Sequence, residues 1–318
     1  MLEAITSDSK IWNEDEVISQ LSYEMSHNND IDISLVQEGP DLSFTNLYNI
    51  LDKLSQMYSY DLTKVTIRTC NVFEKHSLIN IIYIPPTHFV KSTIETLKDI
   101  TLNKNNNKLF GIFIGRSNAP RLILSAELNK YNTLQSYHYD VNNDFHRDNL
   151  GLEDAFSNYQ IDDINTLSNF IKKCPLKLEH NVTYPILMDQ HNNFYDSYNN
   201  FFVEVVCETF FSGETFFPTE KTWRPIILKT PFIVQGPTGY LKNLRKLGFK
   251  TFSEFWDEGY DEDPPNWSYK EIIKVIEDLS SKSNDEIQRM YIAMQDILEH
   301  NYNTLLNLTR EDFEKLNE

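Results

Sequence analysis

The residues best suited to chemistry lie in the second half of the chain, at the ends of short apolar runs. Arg116 and Arg121 follow "LFGIFIG", Glu208 ends "FFVEVVCE", and Thr219, Glu220 and Lys221 open "TEKTWRPIIL". Arginine and lysine beside the unpaired N–H groups of a helix start can neutralise a diphosphate. A carboxylate in the same place does different work, since it accepts two hydroxyls of a ribose or hexose. Together these are the groups a nucleotide-sugar pocket needs. Each residue also has a plainer role: Glu in the first turn of a helix is favoured by the helix dipole alone, and an exposed Arg or Lys is ordinarily solvated. Neighbouring side chains on a helix diverge by about 100°, so Glu220 and Lys221 are expected to point apart without neutralising each other.

These residues act together only if strands and helices converge them. Ile31, Ile33 and Leu35 alternate as in a strand, and Glu38-Gly39-Pro40 breaks the run. Leu47, Ile50, Leu51 and Leu54 recur at helical spacing, and "KVTIRT" alternates again, a βαβ pattern with a parallel pair. "LINIIYI" adds a strand and "HFVKSTIETLKDITL" a helix. The polar run "NKNNNK", 103–108, has no periodicity and reads as a linker.

The second half opens with a strand in "LFGIFIG", then a helix capped by Asn118 or Ser117 with Pro120 in its first turn. A helix is expected near 153–173. After that come a strand in "NFFVEVVCE", a helix in "TEKTWRPIIL", a strand in "PFIVQG", a helix ending at Gly248 and a short strand in "FKTF". Two helices finish the chain, the second opened by the capping box of Ser283 and Glu286. The expected fold class is α/β, with two Rossmann-like domains facing across a cleft. Residues 1–104 form an N-terminal, acceptor-side domain, 105–280 a donor-binding domain, and 281–318 terminal helices packing back toward the first. Ligands of such sheets sit beyond the C-terminal ends of the strands, where the residues named above fall.

Composition sets the outer limits. The chain has 318 residues, 40% of them hydrophobic, and a net charge of −18. Wholesale disorder is excluded, and so acidic a surface argues against a nucleic-acid partner. Three cysteines, Cys70, Cys174 and Cys207, are too scattered for a disulfide framework or zinc knuckle. No apolar run reaches the roughly 18–20 residues of a membrane span and no signal peptide is evident, so a cytoplasmic protein is expected. Asp30-Ile31-Asp32 and Asp261-Glu262-Asp263 spell D-x-D, a carboxylate pair able to hold a divalent metal. With 47 acidic residues such pairs arise by chance, and neither ends an apolar strand. The acids of "FWDEGYDEDPPNW" read as a solvated loop, with Trp256, Tyr260 and Trp267 available to stack on an acceptor sugar.

The order of these segments resembles the donor-binding half of the α1,3-fucosyltransferase family. That family's R-x6-L-x2-Y helix is matched from Arg121 to Tyr131, its strand ending in glutamate by "VEVVCE", its Thr-Glu-Lys-x-Trp helix start by residues 219–223, and its apolar strand ending in glycine by "PFIVQG". The resemblance covers about residues 108–240 and does not reach the first 107. It implies a GT-B-like glycosyltransferase in which Arg121 and Lys221 contact the donor diphosphate, while Glu208 and Glu220 hold sugar and ribose hydroxyls. It further implies an inverting, metal-independent transfer with no cofactor beyond the nucleotide-sugar donor. GDP-fucose is the first candidate, UDP-sugars remain open, and the acceptor is a glycan or another hydroxyl-bearing molecule. Two features depart from the family: Pro225 inside the helix, which should kink it or delay its start, and the longer interval "TFFSGETFF" before it. The general base is expected from the first domain. Glu38 is the leading candidate, although "EGP" also reads simply as a turn, with Glu74 and His76 in reserve. The alternatives are a D-x-D metal-dependent transferase, a transferase acting on modified nucleic-acid bases, and a non-catalytic sugar- or nucleotide-binding module.

Overall fold

Period-two alternation builds the first sheet. In β2 (Ile31–Leu35) and β3 (Val65–Thr69) every second side chain is buried, and the two strands pair in parallel, Ile33 beside Ile67. The computed structural model describes residues 2–3, 14–35, 38–138, 164–178, 191–262 and 265–317. A two-residue β1 (Leu2–Glu3) and β4 (Asn80–Tyr83) complete a parallel sheet in the order β1-β2-β3-β4. Its core joins Ile33, Val65 and Ile67 to Leu51 of α2 (Leu47–Tyr58) and to Leu21 of α1 (Glu14–His27). The sequence reading did not include α1, although Val17, Leu21 and Met25 recur on its buried face.

The second sheet is also parallel, in the order β6-β5-β7-β8: β5 is Lys108–Ile114, β6 Thr133–Tyr137, β7 Phe201–Cys207 and β8 Phe232–Gln235. Every residue of β7 and β8 is buried, as expected of parallel strands covered on both faces. Around them lie α4 (Ala119–Leu128), α5 (Ile164–Ile171), α6 (His191–Asp196), α7 (Glu220–Ile227) and α8 (Tyr240–Lys246). Only the end of the helix expected near 153–173 falls among the described residues, as α5. The chain thus has two parallel α/β sheets. The helix α3 (Thr87–Leu97) belongs to the first half by sequence, yet it packs on α7, and Val90 and Leu97 join the second core.

Three expectations need correction. "FKTF" forms no strand, because side chains satisfy its backbone in place of a neighbouring strand. Asn301 donates to the Lys250 carbonyl and accepts its N–H, both at 2.8 Å, and Glu258 accepts the Phe252 N–H at 2.7 Å. The end of the chain holds four helices where two were expected: α9 (Pro265–Ser281), α10 (Asn284–Ala293), α11 (Gln295–Asn307) and α12 (Arg310–Glu314). The capping box at Ser283 and Glu286 does open α10. The run 103–108 is held along the second half: Asn105 N–H donates to the Asn199 carbonyl at 2.8 Å, and the Lys104 ammonium to Thr230 Oγ1 at 2.8 Å.

The terminal helices pack on the second core. α11 lies on α7 and Phe313 of α12 meets Trp223 edge-on, while the charges of Glu314 and Arg310 are felt at Tyr83 of β4. Among the described residues, no helix is long and apolar enough to cross a membrane.

Candidate functional site

Strand order points to a candidate site. From β5 the chain moves to one side to form β6, then returns past β5 to form β7 and β8. The direction reverses between β5 and β7, and in open α/β sheets ligands bind in the crevice at the C-terminal ends of such a pair. The first sheet has no such reversal among its described strands.

One wall of this crevice is the β5–α4 loop. Asn118 caps α4, its Oδ1 accepting the Arg121 N–H at 3.1 Å, which sets Arg121 in the first turn. Arg121 is only 4% exposed. It spans the crevice, donating to the Arg116 carbonyl at 3.0 Å and to the Glu208 carbonyl beyond β7 at 2.9 Å. Arg116 itself is exposed at the mouth.

The opposite wall is organised by Glu208, which is 1% exposed. Its Oε1 accepts from Thr219 N–H (3.1 Å), Thr222 Oγ1 (2.6 Å) and Tyr240 OH (3.0 Å), and its Oε2 from Thr219 Oγ1 (2.7 Å) and Thr209 N–H (3.2 Å). A carboxylate offers about four lone-pair sites, so these contacts saturate it. The ligand-hydroxyl role expected of Glu208 therefore gives way to a clamp that fixes the start of α7.

Thr219 caps α7 and receives the Lys221 ammonium at 3.0 Å, which also donates to Thr209 Oγ1 at 3.1 Å. The ammonium lies 3.4 Å from Glu220 Oε1, so these neighbours do pair, contrary to the divergence expected of them. The long lysine stem folds back over the helix start, and this reach overrides the angular separation of the Cβ atoms. Glu220 keeps 47% of its side chain exposed. Burial of its inner part pushes the carboxyl up, but Lys221 and Arg224 outweigh this and hold it below the usual range. Pro225 sits inside α7 without delaying its start, because the Thr219 cap sets the first turn at Glu220.

Behind Glu220 the sequence reading missed a buried ion pair. Glu204, inside β7, accepts from Arg224 at 3.0 Å and from Tyr198 OH at 2.7 Å, and Arg224 stacks over Phe194. Burial raises the Glu204 carboxyl even against these partners. An acid within "FFVEVVC" was the available signal, since a buried strand must pair such a group.

The interval 209–217 is a strap from the second half to the first. Glu214 N–H donates to Asp41 Oδ2 at 2.7 Å, Asn71 donates to the Glu214 carbonyl at 2.9 Å, and Thr215 Oγ1 donates to the Gly39 carbonyl. Gly39 lies against the Phe217 side chain, which a Cβ would approach to 2.9 Å, and Phe217 meets Phe89 of α3 edge-on. The strap therefore joins loops that follow β2 and β3 to the loop that follows β7.

The base candidates separate clearly. Glu74 is a structural clasp, binding Leu42 N–H at 2.6 Å, Tyr48 OH at 2.6 Å and Asn71 at 3.2 Å. His76 Nδ1 accepts the Leu78 and Ile79 N–H groups and its ring packs on Tyr48. Glu38 is partly exposed beside the strap contact, and burial together with its charge pushes the Cys70 thiol up to about 12. His88, read only as part of a helix, is exposed at the start of α3 and lies within the field of Glu220. Partial burial lowers its imidazole below the ordinary value, and Glu220 opposes that shift.

The D-x-D pairs lie elsewhere. Asp30 and Asp32 flank the N-terminal end of β2, the end remote from ligand sites, and Asp32 pairs with Arg68 at 3.1 Å. Asp261 accepts the Leu241 and Lys242 N–H groups at the start of α8. Asp263 and the side chain of Trp267 lie outside the described residues. Trp256 and Tyr260 are buried in the second core, and Glu258 and Asp261 are buried with them. Glu258 and Asp261 are therefore structural while Asp257 and Glu262 are exposed, and the two rings are not offered to an acceptor. No protein-family model, curated protein or solved structure matches the chain.

Proposed function

We propose that the chain is a glycosyltransferase of GT-B-like architecture. It moves a sugar, fucose first among candidates, from a GDP- or UDP-sugar to the hydroxyl of a glycan or similar acceptor. The observation that carries this proposal is the crevice between β5 and β7, where Arg121 crosses one wall and Lys221 and the start of α7 line the other. Cationic groups fixed in advance at such an edge suit a leaving diphosphate, because they stabilise charge that grows in the transition state without reorganising. Glu220, ionised and half exposed beside them, is the carboxylate left to accept hydroxyls of the donor. Transfer is inverting and metal-independent: the acceptor oxygen attacks the anomeric carbon as the nucleoside diphosphate departs.

The base comes from the first half. Glu38, partly exposed, and His88, exposed, are its two candidates, Glu74 and His76 being engaged by backbone N–H groups. The variants E38Q and H88Q separate them, since only the true base lowers kcat while sparing donor affinity.

The test is release of nucleoside diphosphate from a panel of GDP- and UDP-sugars, with mixed hydroxyl acceptors and EDTA present. Release under these conditions supports the proposal. Release only without EDTA favours the metal-dependent alternative, and donor binding without turnover favours a binding module. Neither binding nor release with any donor overturns the proposal.

A further inference from the structure

Two buried amides at the C-terminal edge of the second sheet have idle polar atoms. Gln235 closes β8 at 1% exposure, and among the described residues neither its Oε1 nor its Nε2 has a hydrogen-bond partner. Asn118 is equally buried, and while its Oδ1 caps α4, its Nδ2 has no partner among the described residues. Buried polar groups in folded proteins are nearly always paired, so an amide idle at both atoms marks a place that something else completes.

Register shows how the two relate. Cys207 of β7 is the lateral neighbour of Gln235, so their side chains share one face of the sheet. Beyond this pair, the Glu208 N–H donates to the Gln235 carbonyl at 3.0 Å, the Arg121 guanidinium donates to the Glu208 carbonyl at 2.9 Å, and the Arg121 N–H donates to Asn118 Oδ1 at 3.1 Å. A run of hydrogen bonds thus joins the end of β8 to Asn118 along the sheet edge. Glu208, next in the chain after Cys207, projects to the other side, with Thr219 and Lys221.

The chemistry of an amide narrows the ligand. Gln235 presents an acceptor and a donor side by side. A phosphate offers only acceptors and would set an oxygen against Oε1. The edge of a heterocyclic base offers a donor beside an acceptor at matching spacing, which is how Asn and Gln side chains pair with bases.

We propose that Gln235 reads the base of the bound nucleoside diphosphate and that Asn118 Nδ2 donates to the adjoining ribose or phosphate. The nucleotide then lies across the sheet edge, with its base on the Gln235 side and the transferred sugar on the Lys221 side. This assignment rests on the nucleotide-sugar proposal above and adds the residue that discriminates among donors.

The test is calorimetric titration of GDP and of UDP into the full chain and into Gln235→Leu, with Gln235→Met as a second variant should the first not fold. Wild-type protein should prefer one of the two nucleotides, and the substitution should shrink that preference at least about tenfold. Equal losses for both nucleotides would make Gln235 merely structural and overturn the assignment. Unchanged affinities would overturn it too, an internal water then serving the amide, and so would equal wild-type affinity for both. In those three outcomes the nucleotide-sugar proposal survives. Wild-type protein that binds neither nucleotide would remove both.

Discussion

Replacing Glu208 by Gln is the sharpest structural perturbation of the site, because it keeps the shape of the side chain and changes only its bonding. Five donors converge on the carboxylate, and two of them, Thr209 N–H and Thr219 N–H, are backbone groups that cannot turn away. Whichever way the new amide faces, its NH2 meets one of these N–H groups, and a buried donor left unpaired costs about 1–3 kcal/mol. The other contacts fall from charged to neutral acceptors, about 1 kcal/mol more in total. The amide is cheaper to bury than a carboxylate, which returns part of this. The expected net loss is about 2 kcal/mol. Urea unfolding followed by tryptophan fluorescence reports on it directly, since Trp223 on α7 and Trp256 lie in the same core. The midpoint should fall at an unchanged slope. A loss below about 0.5 kcal/mol would refute the clamp, and the positioning of Lys221 argued from it.

Two further predictions concern buried charge. Arg224→Ala leaves Glu204 without its cationic partner inside β7 and should destabilise the fold by about 3–5 kcal/mol; thermal unfolding checks this, and a shift no larger than that of an exposed Arg→Ala control contradicts it. Lys104 is held down to about 7 by burial, against the opposing charge of Glu204. A lysine depressed in the folded state binds its proton more weakly there than in the unfolded chain. Stability should therefore rise with pH between about 7 and 10, by up to about 1.4 kcal/mol per unit from this group. Lys104→Met should flatten that rise relative to wild type, and parallel pH profiles would sink the assignment.

What could be read from the sequence follows the range of the interactions involved. β2, α2 and β3 were legible because burial of Ile31, Ile33, Leu35, Leu47, Leu51 and Ile67 imposes local periods of two and of about 3.6. The caps at Asn118, read with Ser117 as its alternative, and at Ser283 were legible for the same reason, since each acts within its own first turn, whereas the capping role of Thr219 was not read. "FKTF" misled because the partner that satisfies Lys250 is Asn301, far along the chain. That Arg121, Glu208 and the 219–221 run converge was visible, but the division of labour among them was not. A saturated Glu208 requires Thr222 and Tyr240 to be in place, and a cross-chain strap requires Gly39, Asp41 and Asn71 to meet residues 213–215. Trp256 and Tyr260 looked like surface aromatics in an acidic loop because nothing local announced that Glu258 and Asp261 serve backbone N–H groups in the core.

The central claim is that Lys221, held by Thr209 and Thr219 beside the β5–β7 crevice, meets the diphosphate of a nucleotide. Calorimetric titration of GDP and UDP into wild-type protein and into Lys221→Ala tests it most directly. Wild-type protein should bind at least one of them, and the variant, with unchanged thermal stability, should bind it at least about tenfold more weakly, as loss of a charge-assisted contact requires. Equal affinity in the two proteins, or no binding of either nucleotide by the wild type, would contradict it.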